Sequence, residues 1–332
     1  MNTKDKTIII TGGLGFIGSN LIAALEKKGF NNIVVVDYFG YDEKWRNVAN
    51  RSNITKYINP NNLFQELEYL RQPILSVIHL GGISSTTEKD VDLIIKTNFD
   101  LSFQLYCWCK FHKISFVYAS SAAVYGNART FTDSQSLKDI ESLKPLNAYG
   151  WSKKILDAQI ARDNGFSNGV NQVVGLRFFN VYGPNEYHKG NQSSVIFHFY
   201  YQLIADGEIK LFKSTEPSIQ DGEQKRDFVY VEDCISVIIW MIEHPDVSGL
   251  FNVGTGVARS YNDVANIVRT TSSKKNKINY IEMPNNLISQ YQNFTQAELD
   301  KLRKVGYDGA FKSIEEGIKA YINILKQREH YI

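Results

Sequence analysis

Cysteine is scarce in this chain, and internal repeats, long apolar runs and a dominant charge sign are missing altogether. Its three cysteines are Cys107, Cys109 and Cys234. Two of them form Cys-Trp-Cys, too close for an ordinary bridge and without metal-ligand spacing. That excludes a disulfide scaffold, gives no expectation of a metal, and points to a reducing compartment, the cytoplasm. The opening apolar run stops at Thr-Gly-Gly, too early for a signal-peptide core or a membrane span, so no membrane association is expected. With 37 basic and 35 acidic residues the net charge is +2, which argues against nucleic acid as the main partner. The densest basic run, 272–280, reads as a solvated loop before a strand.

What is present is a rhythm. Short apolar runs at 6–11, 32–37, 76–80, 115–120 and 172–178 alternate with helical patterns at 16–29, 60–71, 90–112 and 147–163. Continuous Val/Ile runs, as opposed to alternating ones, mark strands covered on both faces. The expected fold is therefore α/β, a Rossmann-type doubly wound parallel sheet. After about residue 180 the rhythm breaks. Strands at 209–212 and 227–231 are separated by polar, irregular segments, and 213–226 lacks any apolar period and reads as a mobile loop. The expected division is 1–175 for a dinucleotide-binding domain and 176–332 for a smaller α/β substrate-binding domain, some of whose segments return to the first.

Residues 11–18, TGGLGFIG, follow a strand and open a helix. Gly12 suits the tight turn, Gly15 the close approach of backbone to a pyrophosphate, and Gly18 helix–strand packing, with Phe16 and Ile17 starting the helix. Helix N–H groups there favour phosphate. Asp37 closes the second strand, where a carboxylate meets the adenosine ribose hydroxyls and favours NAD. Lys44 and Arg46 follow closely and could neutralise a 2′-phosphate, which leaves NADP open. Small residues at the end of the 76–80 strand, Leu80-Gly81-Gly82, let a dinucleotide lie flat on the backbone. His79 beside them reads as a packed strand residue.

The strand 115–120 ends in Ser120 and Ser121, at the carboxyl edge where such sheets bind ligands. Some twenty-five residues on, NAYGWSK (147–153) sets Tyr149 and Lys153 four apart, on one helix face. A free phenol has a pKa near ~10, too high for a base at neutral pH. An ammonium at Lys153 and a positive nicotinamide would both favour phenolate, while Ser121 would hold the reacting oxygen.

Taken together, Gly12–Gly18, Asp37, Ser121, Tyr149 and Lys153 make the chain resemble the extended short-chain dehydrogenase/reductase family over nearly its whole length. That resemblance implies nucleotide-sugar chemistry and adds Asn98 as a backbone-bridging asparagine of the site. Dehydratases of this family carry an Asp-Glu pair where this chain has Ala122-Ala123, so dehydration is not expected. Within the family, HKG (188–190), FTQA (294–297) and ISSTTE (83–88) resemble the epimerases that invert C6″ of an ADP-linked glycero-manno-heptose for the lipopolysaccharide inner core. The likeness implies Lys189 as a second base beside Tyr149, one for each epimer. It also implies substrate contacts from Ser121, Asn180, Lys189, Asn191, Ser194, His198, Phe212, Arg226 and Tyr291. NADP is the implied cofactor with NAD possible, and a homo-oligomer, a pentamer, the implied assembly.

Some positions depart from that pattern. Tyr38 stands where Asn is usual after Asp37, and Pro60 where a lysine is expected. Lys213 replaces an acid, followed by a short insertion, which leaves the nucleotide base and the sugar open. The alternatives are a 4-epimerase or a reductase of a UDP- or GDP-linked sugar, or an NAD(P)-sensing protein without catalysis.

Overall fold

The computed structural model describes residues 3–41, 43–167, 171–272, 277–288, 291–327 and 331–332. The strands are β1 (Thr7–Thr11), β2 (Ile33–Val36), β3 (Ile54–Ile58), β4 (Ile74–His79), β5 (Ser115–Ser121) and β6 (Val173–Phe178). They continue with β7 (Asn180–Tyr182), β8 (Glu208–Phe212), β9 (Lys225–Tyr230), β10 (Gly249–Val253), β11 (Ala258–Ser260) and β12 (Lys277–Ile281). Seven of them form one sheet in the order β10-β6-β5-β4-β1-β2-β3, with every neighbouring pair parallel. The chain winds outward from β1 through β2 to β3, then returns to β4 on the other side. That reversal between β1 and β4 opens a crevice at the carboxyl ends of the strands.

The apolar runs behave as expected for a sheet covered twice. Ile8 and Ile10 of β1 join a core with Leu21, Ile22 and Leu25 of the Phe16–Lys27 helix and Val237, Ile238 and Met241 of the Val231–Glu243 helix. Ile9, pointing the other way, joins Leu105, Tyr106 and Leu156 on the opposite face. One strand thus serves two cores, which is why its residues are apolar without alternation.

A smaller lobe gathers β11-β9-β7 and the β12-β8 pair with the helices Val195–Ala205, Tyr261–Thr271 and Ile314–Leu325 around a third core. The boundary expected at 175 falls inside β6, and the Val231–Glu243 helix and β10 come from the later stretch yet belong to the large sheet.

Three local expectations are corrected. Strand β3 was not anticipated: ITKYI is an edge strand that buries only Ile58 fully. The helical stretch at 60–71 is a 3-10 turn plus the short Leu63–Glu68 helix. The helix expected over 90–112 is broken by a π turn at Lys96–Asp100, between Val91–Ile95 and Leu101–His112. Of the mobile loop expected over 213–226, Lys225 and Arg226 belong to β9, and 213–224 has no helix or strand but is tied down. Ser214 N–H donates to Asp221 Oδ1 at 2.8 Å, and the Asn262 amide donates to Asp221 O at 3.0 Å and Glu223 Oε1 at 2.7 Å. The basic run at 272–280, expected as a loop before a strand, already contains most of β12 from Lys277 onward, and 273–276 lie outside the described residues.

Candidate active site

The glycine turn brings two strand ends into contact. Gly12 has φ 68°, and a Cβ on it would stand 2.6 Å from Gly81 N; one on Gly18 would stand 2.2 Å from Gly12 O. Neither position admits a side chain. No side chain caps the Phe16–Lys27 helix at Gly15, so its first N–H groups are left for a ligand. The Asp37 carboxylate stands over this turn, accepting from Leu14 N–H at 3.0 Å, Tyr38 N–H at 2.8 Å and Lys44 Nζ at 2.9 Å. A crevice of about 400 Å³ results, lined by Gly12, Gly15, Phe16, Ile17, Gly18, Asp37, Lys44, Leu80, Gly81 and Gly82. The backbone cradle, the open helix end and the carboxylate fit a dinucleotide.

Next to it, the Ala148–Arg162 helix starts at Asn147, whose side chain accepts from Gly150 N–H at 2.8 Å. A Cβ on Gly150 would sit 2.7 Å from Ala123 O. Glycine there lets the helix lie against the turn after β5, which brings Tyr149 to Ser121. Burial pushes the Tyr149 phenol above its ordinary pKa, while the hydrogen bond with Ser121 pulls it down. In the protein alone the phenol is therefore less acidic than a free one; the lowering expected from sequence rested on Lys153 and a bound nicotinamide together. Lys153 is itself held down to about 8, by burial first and against the pull of Asp157.

The π turn has a use here. It places Asn98, fully buried, so that its side chain accepts from Ile83 N–H at 2.8 Å and donates to Ile83 O at 2.9 Å and to Ser152 Oγ at 3.1 Å. The loop after β4 is thereby pinned to the Tyr149 helix. His79 is the packed residue expected: Thr11 Oγ1 and Ser102 Oγ each lie 2.6 Å from a ring nitrogen, and burial pushes its pKa to about 3. Ser120 lines the cavity beside Ser121, and its hydroxyl donates to the buried Asp157 at 3.0 Å.

A cavity of about 340 Å³ joins these residues to the smaller lobe. Ser121, Tyr149 and Lys153 line one part, and Asn180, Lys189 and Ser194 another. Phe16, Ile17, Leu80, Gly82 and Lys189 line both this cavity and the dinucleotide crevice, so the two are continuous. Lys189 stands 5.6 Å from the Phe16 ring centroid. Burial lowers its pKa and Glu186 raises it.

Not every expected residue reaches the cavity. Tyr38 lies beside the crevice, its phenol donating to Asn61 at 2.8 Å. Asn191 is exposed on the turn after Lys189. His198 packs its ring near Phe197 and bonds the backbone of Asn191 and Ser193. Phe212 ends β8, paired with Ile281. Arg226 is buried under two rings, 5.7 Å from Tyr261 and 5.0 Å from Tyr291. Tyr261, in turn, lines the cavity. Sequence reasoning missed Tyr261, Gln192 and Ser84 as lining residues; Gln192 and Ser84 lay in stretches already singled out, Tyr261 did not.

Among the described residues no cluster could hold a metal, and no helix is long and apolar enough to cross a membrane. Fold and site define a dinucleotide-binding protein with a Tyr-Lys-Ser constellation at its sheet edge. The NAD dependent epimerase/dehydratase family matches residues 8–254, and the chain belongs to it. An ADP-L-glycero-D-manno-heptose-6-epimerase of Alkalilimnicola ehrlichii is 42% identical over 95% of this chain and 96% of its own. One of Fusobacterium nucleatum is 40% identical over 98% of this chain and 100% of its own. Among solved structures, the Helicobacter pylori ADP-L-glycero-D-manno-heptose-6-epimerase superposes with a TM-score of 0.80 at 30% identity, covering 99% of this chain and 98% of that one.

Proposed function

We propose that the protein is an NAD(P)-dependent epimerase that inverts C6″ of an ADP-linked glycero-manno-heptose, a step of lipopolysaccharide inner-core synthesis. Its kinship with 6-epimerases along almost the full chain supports this over a 4-epimerase, a reductase or a cofactor sensor. The observation that carries it is that Tyr149 and Lys189, on separate segments, line one cavity beside a dinucleotide crevice.

Inverting a carbinol requires its hydroxyl proton to leave from one configuration and return to the other. One fixed base reaches only one of those geometries well. Tyr149 serves one epimer and Lys189 the other, while Ser121, bonded to Tyr149, orients the hydroxyl oxygen. A dinucleotide held by Gly12, Gly15, Gly18 and Asp37 would supply the hydride-accepting and hydride-donating chemistry there. Lys153, one helical turn from Tyr149 and lining the same cavity, has its pKa lowered to about 8 by burial, and its ammonium would favour the phenolate once substrate and dinucleotide are in place. Asn98 keeps the loop at Ile83 from moving against the Tyr149 helix.

For the cofactor we favour NADP, with NAD possible. Lys44 lines the crevice and its ion pair with Asp37 offsets the carboxylate charge that would repel a 2′-phosphate. Arg46 instead pairs with Glu43. Incubating the purified protein with ADP-heptose of one C6″ configuration and following both epimers by NMR tests the reading. Approach to a mixture from either side, without added cofactor, is expected. No change at C6″, or net reduction, would refute it. The dinucleotide freed on denaturation, identified by mass, decides between NADP and NAD.

A further inference from the structure

The segment carrying Lys189 has little regular structure of its own. It is the 3-10 turn Tyr187–Gln192, interrupted at Gly190, where φ is 52°. Such a turn needs an external anchor to hold a base in place. Glu186 supplies one. It is fully buried, although a carboxylate in a polar stretch of sequence is ordinarily solvated.

Its side chain accepts from Ser194 Oγ at 2.7 Å, from Ser194 N–H, and from Gly183 N–H at 3.3 Å. Its backbone carbonyl accepts from Lys189 N–H and Ser193 Oγ, both at 3.0 Å. Residues on both sides of the turn are thus fastened to one residue. The Ser194 hydroxyl, which lines the cavity, is already engaged with Glu186 and with Phe197 N–H at 3.3 Å. Three titratable groups face the carboxylate: Lys189 and Tyr187 of the turn and Tyr321 of the Ile314–Leu325 helix. Burial raises its proton affinity, and the Ser194 bonds, Lys189 and Tyr321 oppose that rise.

We propose that Glu186 is a positioning residue for the second base: it clamps the Tyr187–Gln192 turn and sets the charge state of the Lys189 amine. The proposal rests on the epimerase reading for its catalytic consequence but not for its effect on Lys189. Lysine reactivity separates the two. Acetic anhydride labelling of Lys189 across pH, read by mass spectrometry of its peptide, needs no substrate. In Glu186→Gln the labelling midpoint should move down by about one pH unit, because a neighbouring anion no longer favours the ammonium. With ADP-heptose, kcat should fall about 10²-fold with little change in KM, as expected when a catalytic group is displaced and not removed. Glu186→Asp keeps the charge and shortens the reach. It should leave the midpoint near the wild-type value yet still lower kcat, and it serves if Glu186→Gln folds poorly. An unmoved midpoint in Glu186→Gln, or wild-type kcat in both variants, would overturn the proposal. Wild-type protein inert toward ADP-heptose would count against the epimerase reading alone, leaving the midpoint to decide on Glu186.

Discussion

Tyr149 and Lys189 meet at one cavity from supports of unlike kind. Tyr149 rides near the start of a 15-residue helix, capped by Asn147 and packed against the turn after β5. Lys189 rides on a short turn broken by a left-handed glycine and held largely through Glu186. The first base is placed by secondary structure, the second by one buried carboxylate. Placement by a helix is local, so it can be read from spacing; placement by a tertiary clamp cannot. The site also divides electrostatically. Lys153 is almost fully enclosed and falls to about 8, whereas Lys189 is half-buried; a neighbouring anion partly restores each, Asp157 the first and Glu186 the second.

Removing each base in turn is the strongest way to break this comparison. Tyr149→Phe should cut epimerisation by about 10³-fold, within the range for losing a general acid–base. Lys189→Met should cost less, about 10²-fold, because water can reach the half-buried position and take over in part. Reduction of the bound dinucleotide in a single turnover, followed by absorbance from each epimer separately, should fail from one epimer in Tyr149→Phe and from the other in Lys189→Met. Loss from the same epimer in both would end the two-base account.

A smaller effect sharpens the electrostatic half. Lys153 titrates at about 8 in the folded protein, below its ordinary 10.5. Between those values the unfolded chain holds a proton that the folded chain has released, so stability rises with pH across that window. Below 8 both states are charged and the full penalty of burying the cation is present. In the cofactor-free protein, Lys153→Met should therefore be more stable than wild type at pH 7, by up to about 3 kcal/mol. The advantage should shrink as pH climbs from 8 toward 10.5, as measured by urea unfolding. Lys189→Met should show a weaker slope of the same sign. An advantage independent of pH would mean that Lys153 is not depressed.

Much of the cofactor half was legible because its chemistry lies along contiguous chain. Gly12–Gly18 and Tyr149–Lys153 are each a few residues apart, and one turn of backbone decides where they point. The substrate half was legible only in part. Lys189, Asn180 and Ser194 reach the cavity, while Arg226 and Tyr291 stack on Tyr261 without lining it. Tyr261 starts a helix next to β11 and reaches the site because β11 pairs antiparallel with β9, a contact that no local pattern announces. Glu186 was overlooked for a similar reason, since an acid among polar residues looks solvated until the fold closes over it. Strand β3 escaped notice because an edge strand exposes alternate residues and lacks the apolar run of its neighbours.

The central claim is that Tyr149 and Lys189 move only the hydroxyl proton, while the hydrogen on C6″ leaves and returns inside the cavity. Running the epimerisation to equilibrium in D₂O and examining C6″ by NMR tests this directly. The account predicts protium retained at C6″ in both epimers. Deuterium incorporated there would show that the carbon exchanges with solvent, and would contradict it.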